Sequence, residues 1–385
     1  MLAGTNARCM SDGVYFVSGV HSRPADRFGS PRDIACGGSV SGVWCVKILG
    51  LNVASLRFPM VAAAVLACLS VGGSPQPGCA AGDAAPGGRL KVGLALGGGG
   101  TRGAAHVGVL RVLQQEGIPV DMIAGTSMGA IVGGFYAAGL PVSDIESKFQ
   151  KPAIMKNYMT VPLFVRFLAV PAFAVPHLFG WHPYDGFYFG NKLRNYLNSC
   201  LPEDKREIEK LNIPFHAMCT NLVNGEPYVI SRGHLARAMQ ASSAIPVLRR
   251  PVPFEDALLV DGAVVDNVPV DAARAMGADI VIAVDVDEHL MPVDREKFRK
   301  IGSVGHRVEQ IYLSRADAQQ LKLADIVIHP KVDGIGILSL KAKDAREAIR
   351  AGEEAARAAL PAIRARLGVS GAETVLKPQS DRAAD

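Results

Sequence analysis

Short apolar runs alternate with helix-like repeats along most of the chain. An apolar run over 90–96 precedes apolar positions at helical spacing over 104–115, and a second run over 120–124 precedes a helix predicted over 130–138. Buried parallel strands are nearly continuous in apolar residues, whereas a 3.6-residue period indicates a helix with one buried face. The alternation therefore predicts an α/β fold with a mostly parallel central sheet.

The same patterns return in the second half of the chain. We predict strands over 257–260, 279–285 and 323–329, and helices over 303–322 and 341–366. This places an α/β domain at 90–330 and a C-terminal helical region at 331–370. The last residues, 371–385, are predicted to be a disordered tail.

The beginning of the chain has a different composition. Residues 1–45 are rich in glycine, serine and arginine without periodicity, and basic residues then precede an apolar run over 58–68. Basic residues, a short apolar run and small residues form the layout of a secretory signal, and this run is too short to span a bilayer. Val65-Leu66-Ala67-Cys68 also resembles a bacterial lipobox, which makes Cys68 a candidate lipidation site.

Two interpretations of this region remain open. In the first, residues 1–68 are an export signal, residues 69–89 are a flexible tether, and the protein is membrane-anchored or periplasmic in a bacterium. In the second, the leader is a disordered tail with a buried helix, or sequence upstream of the true start, and the protein is cytoplasmic or a peripheral membrane protein.

Composition and charge exclude several classes of protein. Lys and Arg number 41 against 36 for Asp and Glu, and this net charge of +5 is dispersed rather than clustered, which disfavours a nucleic-acid partner. The chain is 49% hydrophobic and 20% charged, which excludes a disordered protein. No apolar run is long enough to span a bilayer. The cysteine spacings fit no zinc pattern, so we predict neither a metal nor a cofactor.

A glycine-rich segment follows the first predicted strand and opens the first helix. Backbone N–H groups at such a helix N-terminus form an anion site, either a dinucleotide phosphate cradle or an oxyanion hole. Gly98, Gly100 and Gly103 match the dinucleotide-binding spacing, which also requires an acidic residue at the end of the second strand. Asp121 instead lies at the beginning of the second predicted strand, so the sequence does not favour a nucleotide.

A second motif lies between the next predicted strand and helix. Gly125-Thr126-Ser127-Met128-Gly129 has the G-x-S-x-G spacing of a nucleophile elbow, in which glycines allow a sharp turn that exposes the serine oxygen. The alternative is that Ser127 only caps the helix. Because the motif follows the anion-binding loop by one βα unit, it favours a serine nucleophile.

Ser127 would need a general base, and two kinds of residue could supply it. His289, His306 and His329 lie downstream, but none follows a predicted strand in a loop typical of a catalytic histidine. Asp261 directly follows the predicted strand over 257–260 and precedes Gly262, and the alternative is that this pair only forms a turn.

Together these motifs resemble those of a known family. Gly98–Gly103, Gly125–Gly129 and Asp261-Gly262-Ala263 are similar, in order, to the three motifs of the patatin-like phospholipases, and look most like bacterial members related to the neuropathy-target-esterase branch. Similar flanking segments are 104–110, 241–246 and 266–269.

The resemblance implies a three-layer α/β/α fold and a Ser–Asp dyad, with Ser127 as nucleophile and Asp261 as base. It implies an oxyanion hole from the N–H groups of Gly98, Gly99 and Gly100. Supporting motif residues would be Thr101, Arg102, Gly103, Gly125, Gly129 and Gly262. The implied activity is hydrolysis of acyl esters of phospholipids or lysophospholipids at a membrane interface, without nucleotide or nucleic acid. An acyltransferase using the same serine and a non-catalytic lipid-binding protein are the alternatives.

Three further features bear on such a site. Arg102 would bind a phosphate head group or pin the loop through carbonyls or a carboxylate, and His106 is interpreted as a packing residue. Residues 149–189 hold 11 of the 24 aromatic residues and several prolines. This insert would form a lid or an interfacial surface, or else short helices that fill the core.

Overall fold

The computed structural model describes residues 89–159, 184–300 and 302–368. The strands in these segments are β1 (Val92–Leu96), β2 (Met122–Thr126), β3 (Phe215–Asn221), β4 (Pro227–Ile230), β5 (Val252–Phe254), β6 (Ala257–Asp261), β7 (Ile280–Val284) and β8 (Ile326–Ile328). The helices are α1 (Ala105–Gln115), α2 (Met128–Ala137), α3 (Val142–Gln150), α4 (Ala153–Tyr158), α5 (Asn191–Cys200), α6 (Leu235–Ser242), α7 (Val270–Ala275), α8 (Ser303–Leu323) and α9 (Ala342–Leu367).

The strands form one mixed sheet in the order β5-β6-β3-β2-β1-β7-β8, with β4 also paired to β3. The neighbours from β3 to β8 run parallel, and β4, β5 and β6 add antiparallel pairs beside β3. The carboxyl ends of β1, β2 and β7 therefore meet at one edge, where α/β proteins place their sites.

Alternate residues of the strands face two separate helical layers. Leu94 and Leu96 of β1 pack into a core that includes residues of α1, α2 and α9. Ala95 points to the opposite face, into a smaller core with Val270 and Ala273 of α7. Helices on both faces of a mostly parallel sheet confirm the predicted α/β/α fold class.

The second strand lies two residues later than the sequence predicts. Thr126 continues the ladder by pairing with Met218 of β3, so β2 reaches the residue before Ser127. Val120 and Asp121 lie in the connection instead, where the Asp121 carboxylate accepts a hydrogen bond of 2.8 Å from the Val92 N–H. The sequence also did not predict β3, β4 and β5.

The boundary predicted between 330 and 331 does not separate two cores. Helix α9 packs along α1, and its residues Ala348, Ile349 and Ile363 belong to the same buried core as the sheet. The helices touch at glycines: a methyl group on Gly108 would overlap the Ile349 carbonyl oxygen, and one on Gly352 would overlap that of Ala105. Residues 342–367 are thus part of the α/β domain.

Several predictions concern residues outside the described segments. These are the leader over 1–68 with Cys68, nearly all of the tether over 69–89, the central part of the aromatic insert over 160–183, and the tail over 371–385. Among the described helices, none is both long and apolar enough to cross a bilayer.

Candidate active site

Ser127 lies on the sharp turn between β2 and α2. Its backbone has φ 53° and ψ −116°, a left-handed conformation that few non-glycine residues adopt. The turn is tight because Gly129 packs on β1, where an added methyl group would overlap the Leu96 carbonyl oxygen. This is the geometry of a nucleophile elbow.

Sheet register brings Asp261 next to Ser127. Thr126 pairs with Met218 of β3, and the following β3 residue, Cys219, pairs with Asp261 of β6. The Ser127 hydroxyl donates a hydrogen bond of 2.7 Å to Oδ2 of Asp261. The antiparallel pairing of β6 with β3 therefore places Asp261 beside Ser127.

The Asp261 carboxylate is held in a dry environment. Only 3% of Asp261 and 6% of Ser127 is exposed. Burial raises the pKa of Asp261 from 3.8 to about 6, against the opposing effect of hydrogen bonds from the Ala263 N–H and the Ser127 hydroxyl. Asp261 is therefore ionised at neutral pH, yet is a stronger base than an exposed aspartate.

Ser242 fixes the backbone of the elbow. The Ser127 N–H donates to Oγ of Ser242 over 2.9 Å, and that hydroxyl donates in turn to the Met218 carbonyl oxygen over 2.6 Å. The next residues also contact the site, because the Ala244 carbonyl accepts a 3.0 Å hydrogen bond from the Asp261 N–H. Sequence reasoning noted segment 241–246 only as a flank and missed this role.

The glycine loop (97–103) lies beside the elbow. A methyl group on Gly98 would come within 3.0 Å of Cβ of Ser127. Gly98 is one of the three predicted oxyanion donors, and in this structure its N–H donates a hydrogen bond of 3.0 Å to Oδ1 of Asn267. Within the described residues, the N–H groups of Gly99 and Gly100 have no acceptor.

Asn267 is the second residue that sequence reasoning missed, although segment 266–269 was noted as a flank. Its Nδ2 donates to Oδ2 of Asp317 over 3.0 Å and to Oδ2 of Asp287 over 3.2 Å. These two acceptors fix the orientation of the amide, so that Oδ1 faces Gly98. A buried carboxylate pair is thereby linked to the glycine loop.

The carboxylates of Asp285, Asp287 and Asp317 form an acid cluster, and their oxygens lie within 4.8 Å of one another. Burial and the neighbouring acids raise the pKa of Asp287 and of Asp317. A proton held within this pair and the hydrogen bonds from the Asn267 amide reduce the repulsion among the three carboxylates. These are the residues of the described segments that could group around a metal ion.

The far side of the glycine loop is anchored to residues 335–339. The Thr101 hydroxyl donates to the carbonyl oxygens of Ile337 and Ser339 over 3.0 and 2.9 Å. Arg102 is buried, donates from Nε to the Ile335 carbonyl over 2.7 Å, and pairs through Nη2 with Glu288 over 2.9 Å. Of the two roles considered for Arg102, these contacts are those of a residue that pins the loop.

Other motif glycines allow close packing around the elbow. A methyl group on Gly103 would lie 2.5 Å from Cγ of Met128, and one on Gly262 would lie 2.6 Å from the Met218 carbonyl oxygen. Within the elbow itself, a methyl group on Gly125 would lie 2.7 Å from the carbonyl carbon of Gly129. A larger residue at these positions would displace Ser127.

His106 does more than fill space. It is fully buried, and its Nε2 lies 2.8 Å from the Gly97 carbonyl oxygen. Burial lowers the pKa of His106 to about 4, so the ring is neutral at pH 7 and must carry its proton on Nε2 to donate to that carbonyl. His106 thus secures the beginning of the glycine loop.

The downstream histidines contact other groups. His289 pairs with Asp333 and stacks on His329 with a ring-centre distance of 4.0 Å. His306 lies 3.2 Å from Glu288. In the described segments none of the three is hydrogen-bonded to Ser127 or Asp261.

The chain is similar to several known proteins. The crystal structure of VipD from Legionella pneumophila superposes with a TM-score of 0.40 and 15% identity, over 72% of this chain and 67% of that chain. The chain is 35% identical over 197 residues to "Lysophospholipase nte1" of Aspergillus fumigatus, and 34% identical over 197 residues to "Patatin-like phospholipase domain-containing protein 7" of Rattus norvegicus.

Each alignment covers 51% of this chain but only 12% and 13% of the two relatives. The family model described as patatin-like phospholipase matches residues 94–274, a range that begins in β1 and ends in α7 and includes the glycine loop, Ser127 and Asp261. Over this range the chain therefore matches the patatin-like phospholipase family.

Proposed function

We propose that the protein is a serine esterase that hydrolyses acyl esters of phospholipids or lysophospholipids through a Ser127–Asp261 dyad. The observation that carries the proposal is the 2.7 Å hydrogen bond from the Ser127 hydroxyl to the buried Asp261 carboxylate. Support also comes from the family match and from relatives that are themselves called lysophospholipases.

In the first step, Ser127 Oγ attacks the ester carbonyl carbon while Asp261 accepts the hydroxyl proton. The carbonyl oxygen becomes an oxyanion, and the unpaired N–H groups of Gly99 and Gly100 donate hydrogen bonds to it. Each such donor contributes about 3–4 kcal/mol to transition-state stabilisation. Asp261 then returns the proton to the leaving alcohol, and the acyl group stays on Ser127.

In the second step, water hydrolyses the acyl-enzyme. Asp261 removes a proton from the water as it attacks, and Ser127 leaves with that proton when the second tetrahedral intermediate collapses. The pKa of about 6 suits both transfers, because the carboxylate is free at pH 7 and still basic enough to accept a proton.

A fluorophosphonate probe tests the nucleophile directly. We expect stoichiometric labelling of Ser127, located by peptide mass spectrometry, and release of fatty acid from a lysophospholipid. Ser127→Ala should lose both. A protein that binds lipid without labelling would be a carrier, and transfer to an alcohol acceptor faster than hydrolysis would identify an acyltransferase.

Export is a further part of the proposal, and it depends on the leader over 1–68 rather than on the described residues. Mass spectrometry of the mature protein tests it. We expect an N-terminus at or near a lipid-modified Cys68, whereas an intact leader on the purified protein would contradict export.

A further inference from the structure

Arg249 is a buried cation without a carboxylate partner in the described segments. Only 2% of it is exposed. Its guanidinium lies 4.4 Å from the ring centre of Tyr158 and makes a long contact of 3.4 Å with the Tyr158 carbonyl oxygen. Burial lowers the pKa of Arg249, a sign that nearby groups only partly replace the water it has lost. A buried charge is costly unless an opposite charge pairs with it.

Arg249 lines a pocket of about 330 Å³, here called the Arg249 pocket. The side chain of Lys192 also lines this pocket, and none of the lining residues is acidic. The chain over 160–183 contains no Asp or Glu. Among the described residues, the pocket walls thus carry two cationic residues and no counter-charge.

Helix α5 begins at the same pocket. Gly190, its N-cap, and Asn191, its first residue, both line the pocket, and the N-terminus has no side-chain cap and no acidic residue in its first turn. The first N–H groups of a helix have no intrahelical acceptor and carry the positive end of its dipole. An anion here would receive backbone hydrogen bonds as well as the charge of Arg249.

The Arg249 pocket adjoins the reactive pair through residues 242–244. The Tyr158 hydroxyl on the pocket wall donates a 2.8 Å hydrogen bond to the Ser243 carbonyl. The residues on either side of Ser243 bind the Ser127 N–H and the Asp261 N–H. Residues 242–244 therefore connect the wall of the Arg249 pocket to both members of the reactive pair.

We infer that the Arg249 pocket binds the phosphate group of the substrate, so that the site selects phosphate-bearing acyl lipids over neutral ones. The inference rests on the proposed esterase activity and adds the group that is recognised. Arg249 supplies a guanidinium that can donate two parallel hydrogen bonds, and Lys192 supplies a second positive charge. Helix α5 contributes its N-terminal N–H groups.

The test compares two esters with the same acyl chain, lysophosphatidylcholine and a monoacylglycerol. We expect Arg249→Gln to lower kcat/KM for lysophosphatidylcholine about ten-fold or more, and to change the value for the monoacylglycerol less than two-fold. Lys192→Gln, at an exposed position that tolerates substitution, should shift the same ratio in the same direction by a smaller factor. Arg194→Gln removes one charge from the same helix outside the pocket and should leave the ratio unchanged.

Inorganic phosphate provides a readout that does not need catalysis. It should raise the Tm of the wild-type protein and of Arg194→Gln, but not that of Arg249→Gln. An unchanged ester ratio in both pocket variants would overturn the inference, and phosphate stabilisation with an unchanged ratio would mean that only free phosphate binds. If the wild type hydrolyses neither ester, the proposed function fails, and the Tm comparison still decides whether the pocket binds phosphate.

Discussion

Oδ1 of Asn267 accepts a 3.0 Å hydrogen bond from the N–H of Gly98, while Nδ2 of the same amide is held by Asp287 and Asp317. The glycine loop is therefore positioned by a side chain 169 residues away in sequence. In the proposed mechanism this contact leaves Gly99 and Gly100 to bind the oxyanion and sets the angle at which they do so.

Replacing Asn267 tests that positioning role. Asn267→Ala leaves the Gly98 N–H without its acceptor and frees the loop to shift, and a displacement of about 1 Å at a reacting centre costs roughly 10²-fold in rate. We expect kcat to fall by about that factor with KM nearly unchanged, measured by steady-state ester hydrolysis. A rise in KM at constant kcat would contradict the assignment.

The dyad assignment predicts which variants lose activity. Asp261→Asn cannot accept the Ser127 proton and should reduce ester hydrolysis to background. His289→Ala, His306→Ala and His329→Ala should retain most of it, because these rings contact Asp333, Glu288 and one another rather than Ser127. Activity that survives in Asp261→Asn and disappears in a histidine variant would contradict the dyad assignment.

The raised pKa of Asp261 predicts a pH profile. The proposed base works as a carboxylate, so activity should be lost as pH falls through about 6. For an uncharged ester, kcat/KM at pH 5 should be about one tenth of its plateau above pH 7. A flat profile between pH 5 and pH 8 would rule out this group as the base.

The raised pKa of Asp261 also predicts how the stability of the folded protein changes with pH, in the direction opposite to activity. Folding favours the protonated form of Asp261, so this contribution is fully present below pH 3.8 and is lost as pH rises through about 6. Asp261→Asn does not ionise and should be more stable than the wild type at pH 8, by up to about 3 kcal/mol. Denaturant unfolding should show the gap closing towards pH 4.

The close packing of α1 against α9 predicts that two glycine-to-alanine variants differ in stability. Gly352→Ala would force the Ala105 backbone away and should destabilise the protein by about 1–3 kcal/mol. Gly305→Ala places its methyl group in open space on α8 and should be neutral or stabilise by up to about 1 kcal/mol. Equal Tm values for the two variants would show that the helices can separate without cost.

Much of the fold could be predicted because its central strands are continuously apolar. The runs that became β1 and β7 are visible in the sequence since both faces of these strands are buried. The strands β6 and β8 also follow apolar runs, although one face of β8 is exposed at Val327. Strand β3 was not predicted because His216, Cys219 and Thr220 interrupt its apolar pattern. Its position in the sheet depends on pairing with β2 and β6.

The proposed reacting groups could also be found from sequence, because glycine spacing around Ser127 and Asp261 reports local backbone geometry. The residues that hold these groups in place could not be found from sequence. Ser242 and Asn267 act through hydrogen bonds to residues 115 and 169 positions away, and such pairs depend on how the layers pack. That Arg249 has no carboxylate partner among the described residues was hidden for the same reason, since a sequence does not show which charges meet.

The partnership of α1 and α9 also has a consequence for the order of assembly. Arg111 of α1 and Glu353 of α9, which form an ion pair, are 242 residues apart. During synthesis, α9 is the last of these helices to leave the ribosome. Until it does, α1 and the glycine loop that precedes it lack the helix that packs against them in the folded protein. A nascent chain that has not yet reached α9 would therefore lack a fully positioned glycine loop, and in the proposed mechanism hydrolysis would begin only after the domain is nearly complete.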